Sequence, residues 1–70
     1  MKLIVYGRLI EVVSANGKWK VYYLGNDGKK RLADDIVIPS GINEEDIVRY
    51  LADLCHEWAK PNANYVSLMD

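Results

Sequence analysis

Apolar and polar positions are best ordered in Trp19-Lys20-Val21-Tyr22-Tyr23-Leu24, with a turn signal on each side: Asn16-Gly17 before and Gly25-Asn26-Asp27-Gly28 after. Asn and Gly tolerate the positive φ that a type I′ turn needs at both central positions, so Asn16-Gly17 predicts a tight hairpin. A two-residue loop pairs Ala15 with Lys18. The register follows: Ser14 opposite Trp19, Val12 opposite Val21, Ile10 opposite Tyr23. Side chains alternate across a strand, so one face gathers Ile10, Val12, Trp19, Val21 and Tyr23. The other gathers Leu9, Glu11, Val13, Lys20, Tyr22 and Leu24. Hydrophobic patterns that agree across a turn specify the register.

Residues 3–13 read as one strand, rich in β-branched side chains. Ile4, Tyr6, Ile10 and Val12 share one face of it, interrupted by Arg8. Leu3, Val5, Leu9 and Val13 share the other, with Gly7 and Glu11. Gly7 marks a bend or bulge. At the second turn, Gly28 suits a left-handed glycine bulge, which pairs Gly25 with Lys29 and puts Arg31 and Ala33 on the aromatic face. Pairing Gly25 with Gly28 instead sets Leu32 opposite Val21. That register buries more and is the one expected. The third strand, residues 29–33, ends at Asp34-Asp35; Ile36-Val37-Ile38 is a short extended segment that Pro39-Ser40-Gly41 breaks.

A helix follows. Asn43 is placed to cap it, with Asp46 in a capping-box position and Ile42 and Ile47 as a hydrophobic staple. Glu44, Glu45 and Asp46 complement the positive end of the helix dipole. Ile47, Val48, Leu51, Leu54, Cys55 and Trp58 fall on one arc of the helical wheel, opposite Glu45, Arg49, Asp53, His56, Glu57 and Lys60. Pro61 ends the helix. Sixteen residues give a rod of about 24 Å, enough to cross the whole sheet. The predicted fold is α+β: a three-stranded antiparallel β-meander packed by one C-terminal helix (β-β-β-α), with an extended C-terminal tail. It forms a single domain over 1–70, with sheet 3–38, helix 44–60 and tail 61–70.

A chain of 70 residues buries only about 60% of its unfolded surface, so one small core must carry the fold. Its single cysteine, Cys55, forms no internal disulfide and fits a reducing compartment. The apolar run at residues 3–6 is too short for a signal peptide, and no stretch approaches a membrane span. A soluble cytoplasmic protein without a membrane partner is expected. The net charge of −1 hides a split. Residues 1–33 carry seven basic and two acidic side chains, net +5, and residues 34–70 carry two basic and eight acidic, net −6. Such asymmetry suits a polyanion-binding face, internal complementarity, or head-to-tail packing of two copies.

One helix covers one face of a three-stranded sheet. The face left over holds Leu3, Val5, Leu9, Val13, Tyr22 and Leu24 among lysines. An apolar patch of that breadth asks for a cover. Either the tail, through Tyr65, Val66, Leu68 and Met69, folds across it, or a homodimer or an unknown protein partner does. Leu9, Val13, Tyr22 and Leu24 are the candidate interaction residues. Lys18, Lys20, Lys29, Lys30 and Arg31, interleaved with Trp19, Tyr22 and Tyr23, are candidate nucleic-acid contacts, because basic and aromatic side chains together meet phosphates and bases.

No catalytic, cofactor or metal site emerges, and no enzyme activity is expected. Cys55 and His56 point about 100° apart on a helix and so form no nucleophile–base pair. Cys55 belongs to the apolar arc and His56 to the solvated one. Asp34, Asp35, Glu44, Glu45 and Asp46 lack the spacing of a calcium loop and read as a solvated acidic stretch.

Gly17-Lys18-Trp19-Lys20-Val21-Tyr22-Tyr23, then Asn26-Asp27-Gly28-Lys29-Lys30-Arg31, then a helix with Tyr50-Leu51, resembles the amino-terminal arm-binding domain of tyrosine recombinases. That resemblance implies a three-stranded sheet that enters the DNA major groove. Val5-Tyr6-Gly7-Arg8, Tyr23-Leu24-Gly25, Asp34-Asp35, Ile38-Pro39, Tyr50-Leu51-Ala52-Asp53-Leu54 and His56-Glu57 resemble a group of short bacterial proteins known only as a domain of unknown function. That resemblance implies a stand-alone protein and no particular activity. The leading expectation is a non-catalytic interaction module, binding itself or another protein through the second sheet face or the tail. The alternative is a nucleic-acid-binding module acting through the basic sheet face and hairpin.

Overall fold

Tyr6 and Gly7 both adopt positive φ, 50° and 86°, and this turn reorganises the first third of the chain. Residues 3–13 are not one strand. They form a hairpin of β1, Lys2–Val5, and β2, Arg8–Ala15, with Val5 opposite Arg8 and Leu3 opposite Ile10. Two residues consumed in the loop shift β1 relative to β2, so Leu3 and Val5 join Ile10 and Val12 on one face. Gly7 is required twice over. Its φ suits a residue without a side chain, and a Cβ there would stand 3.2 Å from the Ala63 Cβ.

The computed structural model describes residues 1–25 and 27–69; Asn26, assigned above to the second turn, and Asp70, assigned to the tail, lie outside the described residues. The Asn16-Gly17 hairpin has its expected geometry, with φ of 54° and 75°. It joins β2 to β3, Lys18–Leu24, in the expected register from Ala15–Lys18 to Ile10–Tyr23. The second hairpin departs from expectation. β4, Lys30–Leu32, pairs Tyr22 with Leu32 and Tyr23 with Arg31. Gly28, at φ 83°, supplies the left-handed bulge, the Lys29 amide donates to Asp27 Oδ1 at 3.1 Å, and the Gly25 amide donates to the Lys29 carbonyl at 2.8 Å. Turn chemistry therefore overrides the burial argument that favoured Leu32 opposite Val21. Ala33 takes that place, its amide donating to the Val21 carbonyl at 2.8 Å, and Leu32 is left 56% exposed.

The tail is a strand as well. β5, Val66–Leu68, runs antiparallel to β1. The result is a five-stranded antiparallel sheet in the order β4-β3-β2-β1-β5. This corrects the three-stranded meander expected from the sequence and implied by the arm-binding resemblance, and β2, not β3, is the central strand. The fold remains mixed α+β.

The helix is shorter than its pattern. A 3-10 turn over Glu44–Asp46 leads into α1, Ile47–Leu54, and a second 3-10 turn spans His56–Trp58. Asn43 is extended and its side chain makes no capping bond; only its carbonyl accepts, from the Asp46 amide at 2.9 Å. Eight residues give about 12 Å, short of the roughly 19 Å from the first to the fifth strand. α1 consequently packs over β1 and β5, and Leu54, expected on the buried arc, is 47% exposed. The segment after β4 completes the cover by inserting Ala33, Ile36 and Ile38 into the core. Trp19 Nε1 donates to the Ile42 carbonyl at 2.9 Å, and the Tyr50 hydroxyl donates to the Val37 carbonyl at 2.9 Å. These bonds tie the segment to the sheet below and to the helix beside it. Leu3, Val5, Ile10, Val12, Val21, Ile47, Leu51 and Cys55 fill the rest of this single core.

Candidate interaction surface

Alternation along the strands decides what the opposite face carries. The register sets Ile4 beside Leu9 and Ser67, Glu11 beside Lys2 and Tyr22, Tyr22 beside Leu32, Val13 beside Lys20, and Leu24 beside Lys30. Cross-strand neighbours on one face stand close enough to pack. Ile4, Leu9, Val13, Tyr22 and Leu24 are accordingly half-buried by one another. None of the strand residues on this face is buried outright, whereas every buried strand residue lies on the helix side. Of the expected candidates, Leu9, Val13, Tyr22 and Leu24 share this open face. Leu3 and Val5 leave it for the core, because the Tyr6-Gly7 turn moves them across.

Lysines lie among the apolar side chains. Among the described strand residues, Lys2, Lys18, Lys20 and Lys30 occupy this face with one carboxylate, Glu11. Lys30 Nζ lies 3.2 Å from Glu11 Oε1 and 4.9 Å from the centroid of the Tyr22 ring. The side chain crosses from the edge strand to the central one, so part of its charge is already answered. The five basic residues expected to act together are divided. Lys18, Lys20 and Lys30 share the open face, Lys29 sits in the turn opposite Gly25, and Arg31 stands beside Tyr23 on the helix side. The tail adds a strand at the edge and leaves this face as it is.

A second group of polar side chains, which the sequence pattern did not bring together, lies at one end of the helix side. The Arg8 guanidinium sits 4.3 Å from the centroid of the Trp58 ring, and the Tyr23 ring lies 6.2 Å from that ring. The Tyr23 hydroxyl reaches both oxygens of Asp35, at 2.8 and 3.0 Å. Burial first, and then the bond to Asp35, push the Tyr23 phenol up to about 12. Burial, with Asp35 adding to it, also raises the Cys55 thiol. A low-pKa, exposed thiol is what reactive cysteines need, and Cys55 is 4% exposed. His56 points to solvent. Arg8 and Arg31 flank a shallow depression of about 410 Å³ with Gly7, Leu9, Tyr23 and Leu24. In the sequence Arg8 registers only as an interruption of an apolar run. Its stacking depends on the 3-10 turn that reorients Trp58, and local pattern does not encode that turn. Among the described residues no three His, Cys, Asp or Glu side chains are gathered as for a metal ion, and no helix is long and apolar enough to cross a membrane.

The model of a family described as a domain of unknown function, DUF7661, matches residues 1–70. No curated protein and no solved structure matches the chain.

Proposed function

Because the chain belongs to the DUF7661 family, whose description assigns no activity, we propose from the geometry that it is a non-catalytic protein-interaction module acting through the open sheet face. The carrying observation is that Ile4, Leu9, Val13, Tyr22, Leu24 and Leu32 share that face with none of them buried. A sheet face that only meets water alternates towards polar side chains. This one gathers apolar side chains around the Lys30–Glu11 ion pair and carries further lysines beside them, a mixture of apolar area and charge that a protein interface also shows. The groups that catalysis would recruit are committed elsewhere: the Cys55 thiol is buried and raised, and the Tyr23 hydroxyl is bound to Asp35.

Site-specific photocrosslinking in cells tests the reading. A photoreactive side chain at Val13 or Leu24 is expected to give one discrete protein adduct, and the same group at Asp53 on the helix side is not. Equal labelling from all three positions, or none from the sheet face, refutes it.

The lysines on this face support a second reading, in which the same face binds nucleic acid through Lys18, Lys20 and Lys30. Phosphate neutralisation makes such binding fall steeply with salt. A duplex titration at low ionic strength that shows no shift removes this reading and leaves the first intact.

A further inference from the structure

The two edges of the sheet are built from different chemistry. An edge strand offers unpaired backbone groups to any passing strand, and proteins blunt it with charge, proline or a bulge. β4 is blunted: Lys30 and Arg31 lie in it and Lys29 precedes it. β5 is not. Asn64-Tyr65-Val66-Ser67-Leu68-Met69 contains no charged residue and no proline. Its apolar side chains are displayed, with Tyr65 55%, Leu68 51% and Met69 52% exposed.

Hydrogen-bond direction shows what the open side of β5 presents. The Tyr65 carbonyl accepts from the Tyr6 amide and the Met69 amide donates to the Lys2 carbonyl, both at 2.9 Å. Residues 65, 67 and 69 therefore turn their backbone groups inward to β1. By alternation, Val66 and Leu68 turn theirs outward. Their side chains lie on the helix side, opposite Val5 and Leu3. Such a strand is complementary to itself. A two-fold axis at Ser67 sets Val66 against Leu68 of the second copy and Leu68 against its Val66. Each of these two pairs exchanges two backbone bonds, so all the outward groups of Val66 and Leu68 are satisfied. The same axis stacks the four apolar side chains in one row, on the side where half-exposed Leu54 ends α1. The contact is isologous and closes at two copies.

We propose that β5 pairs antiparallel with β5 of a second copy, joining two sheets into one of ten strands. This surface is distinct from the open face, so either proposal stands without the other.

Two measurements on the full chain test it together: sedimentation equilibrium over a dilution series, and amide hydrogen exchange at the same concentrations. The expected result is a monomer–dimer equilibrium in which the Val66 and Leu68 amides exchange slowly only where dimer is present. The Ser67 amide, bound to β1, is slow throughout. Leu68→Lys is expected to abolish the dimer while keeping the unfolding midpoint of the monomer, since Leu68 is half-exposed. A monomer at every concentration overturns the proposal. So does a dimer that survives Leu68→Lys with fast exchange at Val66, and so does open-ended association, which would indicate head-to-tail pairing of unlike edges.

Discussion

The two faces of the sheet are made from the same strands, yet they do different work. The helix side gathers Leu3, Val5, Ile10, Val12 and Val21 under α1 and the Ala33–Ile38 segment, and all five are buried. The open side gathers Ile4, Leu9, Val13, Tyr22 and Leu24 from the same strands with no cover. Similar side chains thus have different energetic roles, set by what lies over them. Burial of an apolar side chain contributes in proportion to the area removed from water. The helix side therefore carries most of the folding energy, and the open side leaves its apolar surface uncovered.

That contrast breaks most sharply in the core. Leu51→Ala removes a fully buried side chain from the centre of α1 and is expected to cost about 2–5 kcal/mol, read from urea unfolding. Gly7→Ala forces a side chain into a left-handed turn and towards Ala63. A loss of about 1–3 kcal/mol is expected, again from urea unfolding; a neutral result would mean that the β1–β2 turn is not the observed one. Trp19→Phe keeps most of the apolar surface but leaves the Ile42 carbonyl without its donor. About 1 kcal/mol should be lost in thermal unfolding.

Tyr23→Phe sharpens the comparison through pH. The folded state holds the Tyr23 phenol at about 12 against an ordinary 10.0, chiefly through burial and the bond to Asp35. The raised value favours the neutral form. Its contribution is complete below pH 10.0 and is lost as pH rises towards about 12. Wild type minus Tyr23→Phe isolates that slope from the lysines that titrate nearby. The difference in stability between the two proteins should be flat from neutral pH to about 9.5 and shrink above it.

Legibility in the sequence followed the turns. Asn16-Gly17 announces its own geometry, so the β2–β3 register, and with it the shared face of Leu9, Val13, Tyr22 and Leu24, is legible directly. Tyr6-Gly7 adopts the same kind of turn with tyrosine at a position that ordinarily takes Asn, Asp or Gly. Local pattern gives no warning of it. The conformation is held from a distance, by the Tyr6 hydroxyl on the Ala52 carbonyl at 2.8 Å and the Tyr6 amide on Tyr65. Without that turn Leu3 and Val5 fall on the opposite face and β1 and β2 read as one strand. β5 is silent in the sequence for a related reason: three residues carry too little periodicity, and their partner β1 lies more than sixty positions away. The helical pattern outruns the helix because its apolar arc continues through Cys55 and Trp58 after the α-geometry has tightened.

The division of labour between the faces meets its most direct test in one paired measurement, urea unfolding of Leu3→Ala beside Val13→Ser. The account predicts a loss of about 2–5 kcal/mol for Leu3→Ala and about 1 kcal/mol or less for Val13→Ser. Equal losses from the two would contradict it, because the open face would then be part of what holds the protein folded.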